Sequence, residues 1–174
     1  MRPRYDFARS MARKLLRKHR VQQPPVPVEH MLFLEGVRVE VLDYPDGTAG
    51  ESWWEGETPC LAVARALLPG RLRFTLAHEW GHLALFHHRH PEPGIEAVAR
   101  RLREGNVLQV NLDPIEVEAN AFAAELLLPE AFFRRDWTCT PEPRRLAARY
   151  EVSEAAVRWR ALALRGLREV ERSP

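Results

Sequence analysis

TLAHEWGHLALFHHRH, residues 75–90, contains five of the seven histidines in this 174-residue chain. Within it, His78, Glu79 and His82 form an HExxH pattern on a helix predicted over about 71–87. Two histidines four residues apart project from one face of a helix, about 6 Å apart along its axis. They are therefore predicted to bind one metal ion. Glu79 lies about 100° round the helix, close enough to take a proton from a water at the metal without being a ligand itself.

A catalytic zinc site needs a third protein ligand besides two histidines and a water. His88 occupies the place of the third histidine in HExxHxxGxxH zinc enzymes. That arrangement needs a glycine to turn the chain out of the helix, and position 85 is Leu. Histidines 87, 88 and 90 are therefore interpreted as a polar helix end followed by an exit loop.

A second helix, predicted over 113–129 (DPIEVEANAFAAELLLP), offers carboxylates instead. Glu116 and Asn120 are four residues apart and share a face, so Glu116 can bind the metal while Asn120 orients one of the ligands. Glu118 lies on the opposite side of the helix and is expected to be solvated or paired with an arginine. The neighbouring residues are apolar, and a buried carboxylate is costly without a partner. Glu116 is the predicted third ligand, and Glu118 is the alternative.

The amino-acid composition excludes several classes of protein. The chain is 45% hydrophobic, which is enough for one ordinary core at this length. Two cysteines without a CxxC spacing are too few for a disulfide scaffold or a thiolate metal site. No apolar run approaches the roughly 18 residues of a membrane span, and the N-terminus lacks the apolar region of a secretory signal. We therefore expect a cytoplasmic protein that makes no contact with a membrane.

Charge is distributed unevenly along the chain. Residues 1–20 carry eight Lys or Arg and one Asp, whereas the remainder carries 18 basic and 23 acidic residues. The apolar residues of this segment fall on one side of a helix, which predicts an amphipathic basic helix. Two interpretations are open: a surface for nucleic acid, lipid headgroups or an acidic partner, or the solvated face of a helix packed on the domain.

The remaining patterns predict an α+β fold, mostly helical, with a small antiparallel or mixed sheet before the histidine-rich helix. It is divided into a core with the basic helix (1–136) and a small helical appendage resembling a helix-turn-helix (137–174). The predicted elements are a short helix at 27–36, strands at 37–44, 52–54 and 60–67, a helix at 95–105, and two helices within 144–167 separated by a turn at 151–153.

Two blocks, RFTLAHEWGHLALFH (73–87) and EVEANAFAAELLLP (116–129), together resemble the ImmA/IrrE family of zinc metallopeptidases. These bacterial and phage proteins cleave or relieve helix-turn-helix transcriptional repressors and also occur in toxin–antitoxin-like gene pairs. The resemblance implies a zincin-like core with Zn²⁺ on His78, His82 and a glutamate of the second block. The family's spacing favours Glu116, with Glu79 as the base.

The sequence therefore predicts a zinc-dependent endopeptidase whose substrate is a helix-turn-helix repressor or a similar regulatory protein. Segment 60–66 is predicted to be an edge strand that pairs with an extended substrate. Tyr44, Tyr150 and the histidines after the helix are candidates for stabilising the oxyanion. The alternative is a regulatory binding protein or toxin–antitoxin component that docks on a repressor or on DNA without proteolysis, and the turn within 144–167 is also typical of DNA-binding proteins.

Overall fold

A computed structural model describes residues 2–89 and 113–164. This part of the chain has an α+β fold with seven helices and a three-stranded mixed sheet, as predicted. In chain order the elements are α1 (Tyr5–Lys18), α2 (Val28–Leu34), β1 (Arg38–Leu42), β2 (Gly50–Glu55), β3 (Thr58–Ala64), α3 (Pro69–Ala84), a short 3-10 turn (His87–Arg89), α4 (Pro114–Leu127), α5 (Glu130–Cys139), α6 (Pro143–Tyr150) and α7 (Glu154–Ala163). The helix predicted over 95–105 lies outside the described residues. None of the helices within the described ranges is long and apolar enough to cross a membrane.

The sheet has the order β1-β3-β2, with β1 parallel and β2 antiparallel to β3. The prediction of an edge strand over 60–66 is wrong, because β3 is hydrogen-bonded on both sides. Strand order depends on pairing between distant segments, which the local pattern of residues 60–66 does not record. In the described sheet β2 is the outer strand that packs on α3, and a Cβ at Gly50 would lie 2.6 Å from Thr75 Cγ2 of that helix.

Helices α3 and α4 pack closely at Gly81, the residue directly before His82 on α3. A Cβ at this position would lie 3.1 Å from Phe122 Cδ1 and 3.2 Å from the Cα atom of Ala119. The absent side chain lets the two helix backbones approach each other. This approach brings the carboxylates of α4 within reach of the histidines of α3.

The basic helix α1 packs on α4 through both an apolar face and ion pairs. Its buried residues include Ala8 and Ala12. Arg4 pairs with Glu118 at 2.8 Å, and Arg13 pairs with Glu125 at 2.8 Å; both carboxylates belong to α4 and are buried. Part of the basic charge of residues 1–20 is therefore neutralised within the fold, as the packed-helix interpretation expected.

Helices α5 and α6 are joined by the Asp136 carboxylate, which accepts hydrogen bonds from Arg149 Nε (2.7 Å), Arg135 Nε (3.0 Å) and the Tyr150 hydroxyl (3.0 Å). Burial alone would raise the pKa of Asp136, but the three donors hold that pKa below its ordinary value. Helix α5 continues across residue 136, and the division of the chain into 1–136 and 137–174 stays a prediction.

A tight turn separates α6 from α7, as the sequence predicts. Glu151 adopts the left-handed conformation after α6 (φ 54°). Ser153 Oγ accepts a hydrogen bond from the amide of Ala156 and caps α7, which ends at Ala163.

Candidate metal centre

Three buried side chains converge between α3 and α4. His78 Nε2 lies 3.2 Å from Glu116 Oε2, His82 Nε2 lies 3.4 Å from Glu116 Oε1, and the two Nε2 atoms are 3.1 Å apart. One ligand atom from each residue lies within 4.8 Å of the others. The structure thus brings together the three residues that the sequence nominates as metal ligands.

His78 is oriented by Asn120, one turn beyond Glu116 on α4. Its Nδ1 lies 3.0 Å from Asn120 Oδ1. Because an amide oxygen only accepts, Nδ1 carries the proton of this contact, and Nε2 faces the cluster. This is the role predicted for Asn120, since histidine ligands usually donate their other ring N–H to an oxygen.

The cluster fits a divalent metal ion by its chemistry. Glu116 Oε1 is buried and makes no hydrogen bond among the described residues. Burial lowers the pKa of His82 to about 4, so its imidazole is neutral and has a lone pair to donate. Burial alone would raise the pKa of Glu116, but the two histidines hold it far below its ordinary value. Two imidazole nitrogens and an ionised carboxylate form a donor set that suits zinc.

Glu79 of α3 is buried and interacts electrostatically with His78 and Glu116 of the cluster. Ser52 of β2 donates a hydrogen bond to Glu79 Oε2 at 2.8 Å, while Oε1 is buried and has no hydrogen-bond partner in the described chain. Burial raises the pKa of Glu79 to about 7, although His78 and Ser52 oppose the shift. Glu79 is therefore placed to exchange a proton near neutral pH.

The exit from α3 differs from the prediction. The helix ends at Ala84 rather than near His87, and Phe86 adopts a left-handed conformation with φ 58°. A residue other than glycine accepts this conformation at a cost of about 1–2 kcal/mol, so the chain turns sharply without a glycine. The interpretation of His87 and His88 as a polar helix end and exit loop is wrong, because the turn brings His87 to His82 and His88 to Ser52. His90, the third histidine of that interpretation, lies outside the described residues.

His87 contacts one of the candidate ligands. Its Nδ1 lies 3.0 Å from His82 Nδ1, and its Nε2 lies 3.2 Å from Glu118 Oε2. Glu118 is fully buried rather than solvated, and it pairs with an arginine, Arg4, as one of the two expected outcomes. The role of His87 was missed because the sequence pattern predicted that the helix continues through this residue.

His88 and Ser52 are further residues of the site that the motif did not reveal. His88 Nε2 lies 3.1 Å from Ser52 Oγ, the hydroxyl that contacts Glu79. A single serine in a strand carries no sequence signal for this role. Of the candidate tyrosines, Tyr44 donates to Glu51 at 2.6 Å and is near enough to Glu79 for the two to interact electrostatically. The Tyr150 hydroxyl instead donates to Asp136, between α5 and α6.

Comparisons with known proteins show the family and a fold neighbour of this chain. The family model described as Peptidase_M78, IrrE N-terminal-like domain, matches residues 35–162. A solved structure, a Mycobacterium tuberculosis transcriptional regulator, is similar in fold, with a TM-score of 0.63 and 20% sequence identity. The match covers 97% of this chain and 49% of that protein, so the chain spans about half its length. Among curated protein sequences, none matches significantly. The match to the family model over most of the chain shows that this protein belongs to the ImmA/IrrE family, the IrrE N-terminal-like proteins of the Peptidase_M78 group.

Proposed function

We propose that this chain is a zinc-dependent endopeptidase that cleaves a regulatory protein, with a helix-turn-helix transcriptional repressor as the substrate. One observation carries the proposal: the buried cluster of His78, His82 and Glu116 lies beside Glu79, one of whose carboxylate oxygens has no hydrogen-bond partner among the described residues. Metal ligands alone would suit a structural site. The adjacent buried base favours hydrolysis.

The metal would be held by His78, His82 and Glu116, with Asn120 orienting His78. Three protein ligands leave a coordination position open for a water or a substrate oxygen, as in catalytic zinc sites. When bound, Zn²⁺ would lower the pKa of a coordinated water toward neutrality and polarise the carbonyl of the scissile peptide.

Glu79 would act as the general base and then as the general acid. Its Oε1 would receive the proton of the attacking water and pass it to the leaving amine. Ser52 donates a hydrogen bond to the other oxygen, Oε2, and so restricts rotation of the carboxylate while Oε1 takes the proton. A pKa near 7 suits both halves of this proton transfer.

The choice of substrate rests on the family. The family model carries a peptidase description, and the fold neighbour is a transcriptional regulator, a statement about that protein. A cytoplasmic location is part of the same proposal, because a repressor would be met there. Docking on a repressor or on DNA without proteolysis is the alternative, and the exposed Trp159 (52%) and Leu162 (71%) on α7 favour such a surface.

The first observation is whether a neighbouring reading frame encodes a small helix-turn-helix protein. The test is co-expression with that protein, comparing the wild type with Glu79→Gln. Mass spectrometry of the partner should reveal one discrete cleavage with the wild type and an intact partner with the variant. A general peptide library incubated with the zinc-loaded protein tests peptidase activity independently of the partner. If the wild type and Glu79→Gln relieve repression equally and no fragment of the partner appears, docking without proteolysis would replace the proposed cleavage.

A further inference from the structure

We infer that Arg4, the N-cap residue of α1, is a positioning residue for the metal centre, acting through Glu118 and His87 on His82. The inference rests on the proposed metal site and extends it to the N-terminal helix. Arg4 lies outside the region that matches the family model, residues 35–162. Arg4 would therefore connect the metal site to a part of the chain that the family model does not match.

The direction of the hydrogen bonds follows from the chemistry of their ends. His82 Nε2 faces Glu116 and His78, so a metal would take the lone pair of this nitrogen. The proton of the neutral ring is then on Nδ1, which donates to His87 Nδ1 at 3.0 Å. His87 must in turn carry its proton on Nε2, which donates to Glu118 at 3.2 Å.

Glu118 ends the chain of hydrogen bonds because an ionised carboxylate only accepts. It is fully buried, and its charge is balanced by Arg4. The Arg4 guanidinium donates from Nη2 to Oε2 at 2.8 Å and from Nε to both oxygens at 3.1 and 3.2 Å. The backbone amide of Arg4 adds a bond to Oε1 at 2.8 Å. Together these hydrogen bonds fix both the position of the Glu118 carboxylate and the orientation of its plane.

The two histidine ligands therefore differ in how they are oriented. Asn120 contacts His78 directly and belongs to the same helix as Glu116. His82 is instead oriented through His87, which is hydrogen-bonded to Glu118. Glu118 in turn is held by Arg4, which belongs to a different part of the chain from α4. Loss of the Arg4 side chain would leave Glu118 buried with the backbone amide of residue 4 and His87 as its remaining hydrogen-bond partners among the described residues.

Arg13 provides a matched control. It also joins α1 to a buried carboxylate of α4, Glu125, at 2.8 Å, and its side chain is 44% exposed against 41% for Arg4. The other side chain that pairs with Glu125 is an arginine, Arg160, rather than a histidine of the site. Both substitutions to alanine thus remove an ion pair with a buried carboxylate of α4, and Arg13→Ala also removes a pair with Glu130 of α5 at 2.9 Å. Only Arg4→Ala alters the route to His82.

The experiment measures zinc affinity by chelator competition, together with the visible absorption of the Co²⁺-substituted protein. Thermal unfolding of the metal-free proteins checks that the two arginine variants lose similar stability. We expect Arg4→Ala to weaken zinc binding by about tenfold and to change the Co²⁺ bands, as loss of an orienting partner does. Arg13→Ala should leave both readouts as in the wild type.

A second pair of variants tests the same route without altering α1. His87→Leu removes the hydrogen bonds and should weaken zinc binding by about ten- to a hundredfold. His87→Gln should restore most of the affinity, because its amide oxygen can accept from His82 and its amide nitrogen can donate to Glu118.

Equal zinc affinities of Arg4→Ala and Arg13→Ala would overturn the role of Arg4. Equal losses in His87→Leu and His87→Gln would overturn the hydrogen-bonded route. A wild-type protein that binds no zinc would overturn the proposed metal site itself, and this failure is recognisable before any variant is compared.

Discussion

Replacement of Glu116 by Gln tests the identity of the third metal ligand. The substitution keeps the shape of the side chain but removes the negative charge that lies 3.2 and 3.4 Å from the two Nε2 atoms. Four ligands of a structural zinc site share an apparent binding free energy of about 10–16 kcal/mol, or about 2.5–4 kcal/mol each. Loss of one ligand should therefore raise the zinc Kd by about a hundred- to a thousandfold.

The assay is competition with a chromophoric chelator at constant pH, with Glu118→Gln as the matched variant two residues along the same helix. A glutamine at 118 can still accept from His87 through its amide oxygen, so we expect a loss of less than about tenfold, below that of a removed orienting partner. The loss of zinc affinity in Asn120→Ala should lie between those of the two glutamine variants, at about ten- to a hundredfold. A greater loss in Glu118→Gln than in Glu116→Gln would refute the assignment and move the ligand by two residues.

Three further substitutions test the proposed base Glu79, the contact of α3 with α4 at Gly81, and the Asp136 carboxylate that joins α5 to α6. Glu79→Gln should retain zinc by metal analysis while peptide cleavage falls by at least about a hundredfold, and full activity would exclude Glu79 as the base. Gly81→Ala should lower the free energy of unfolding by about 1–3 kcal/mol in urea titrations, because a Cβ would press on the backbone of α4, and an unchanged midpoint would contradict this close contact. Asp136→Asn should lower the free energy of unfolding by about 1.5–3 kcal/mol at pH 7, since Asp136 accepts charged hydrogen bonds. The pKa of Asp136 is lower in the folded state, so this contribution is complete above its unfolded pKa of about 3.9 and is lost as the pH falls through the folded pKa. Unfolding curves of the wild type and the variant should converge in acid, and a constant difference down to pH 2 would contradict this linkage.

The local pattern of the sequence was sufficient for most of the described helices and strands, although not for α5 or the end of α3, and for the residues of the proposed site that share one helix face. Helical spacing places His78 beside His82 and Glu116 beside Asn120, because a four-residue separation returns to the same side of a helix. Asp113 caps α4 as its residue type predicts, with its side chain accepting from the amide of Ile115. These features depend on residues within one turn of each other, and so they can be inferred from sequence alone.

Tertiary structure alone decided which element lies beside which. The central position of β3 depends on pairing with two distant strands, so its own alternation gave no indication that both of its edges are hydrogen-bonded. The return of His87 and His88 to the site depends on a left-handed residue, Phe86, whose side-chain type does not favour that conformation. The pairing of Arg4 with Glu118 joins residues 114 positions apart, and only the packing of α1 on α4 brings them into contact. Short-range periodicity fixes the direction of a side chain relative to its own helix, whereas the partner that it meets is determined by the packing of the whole core.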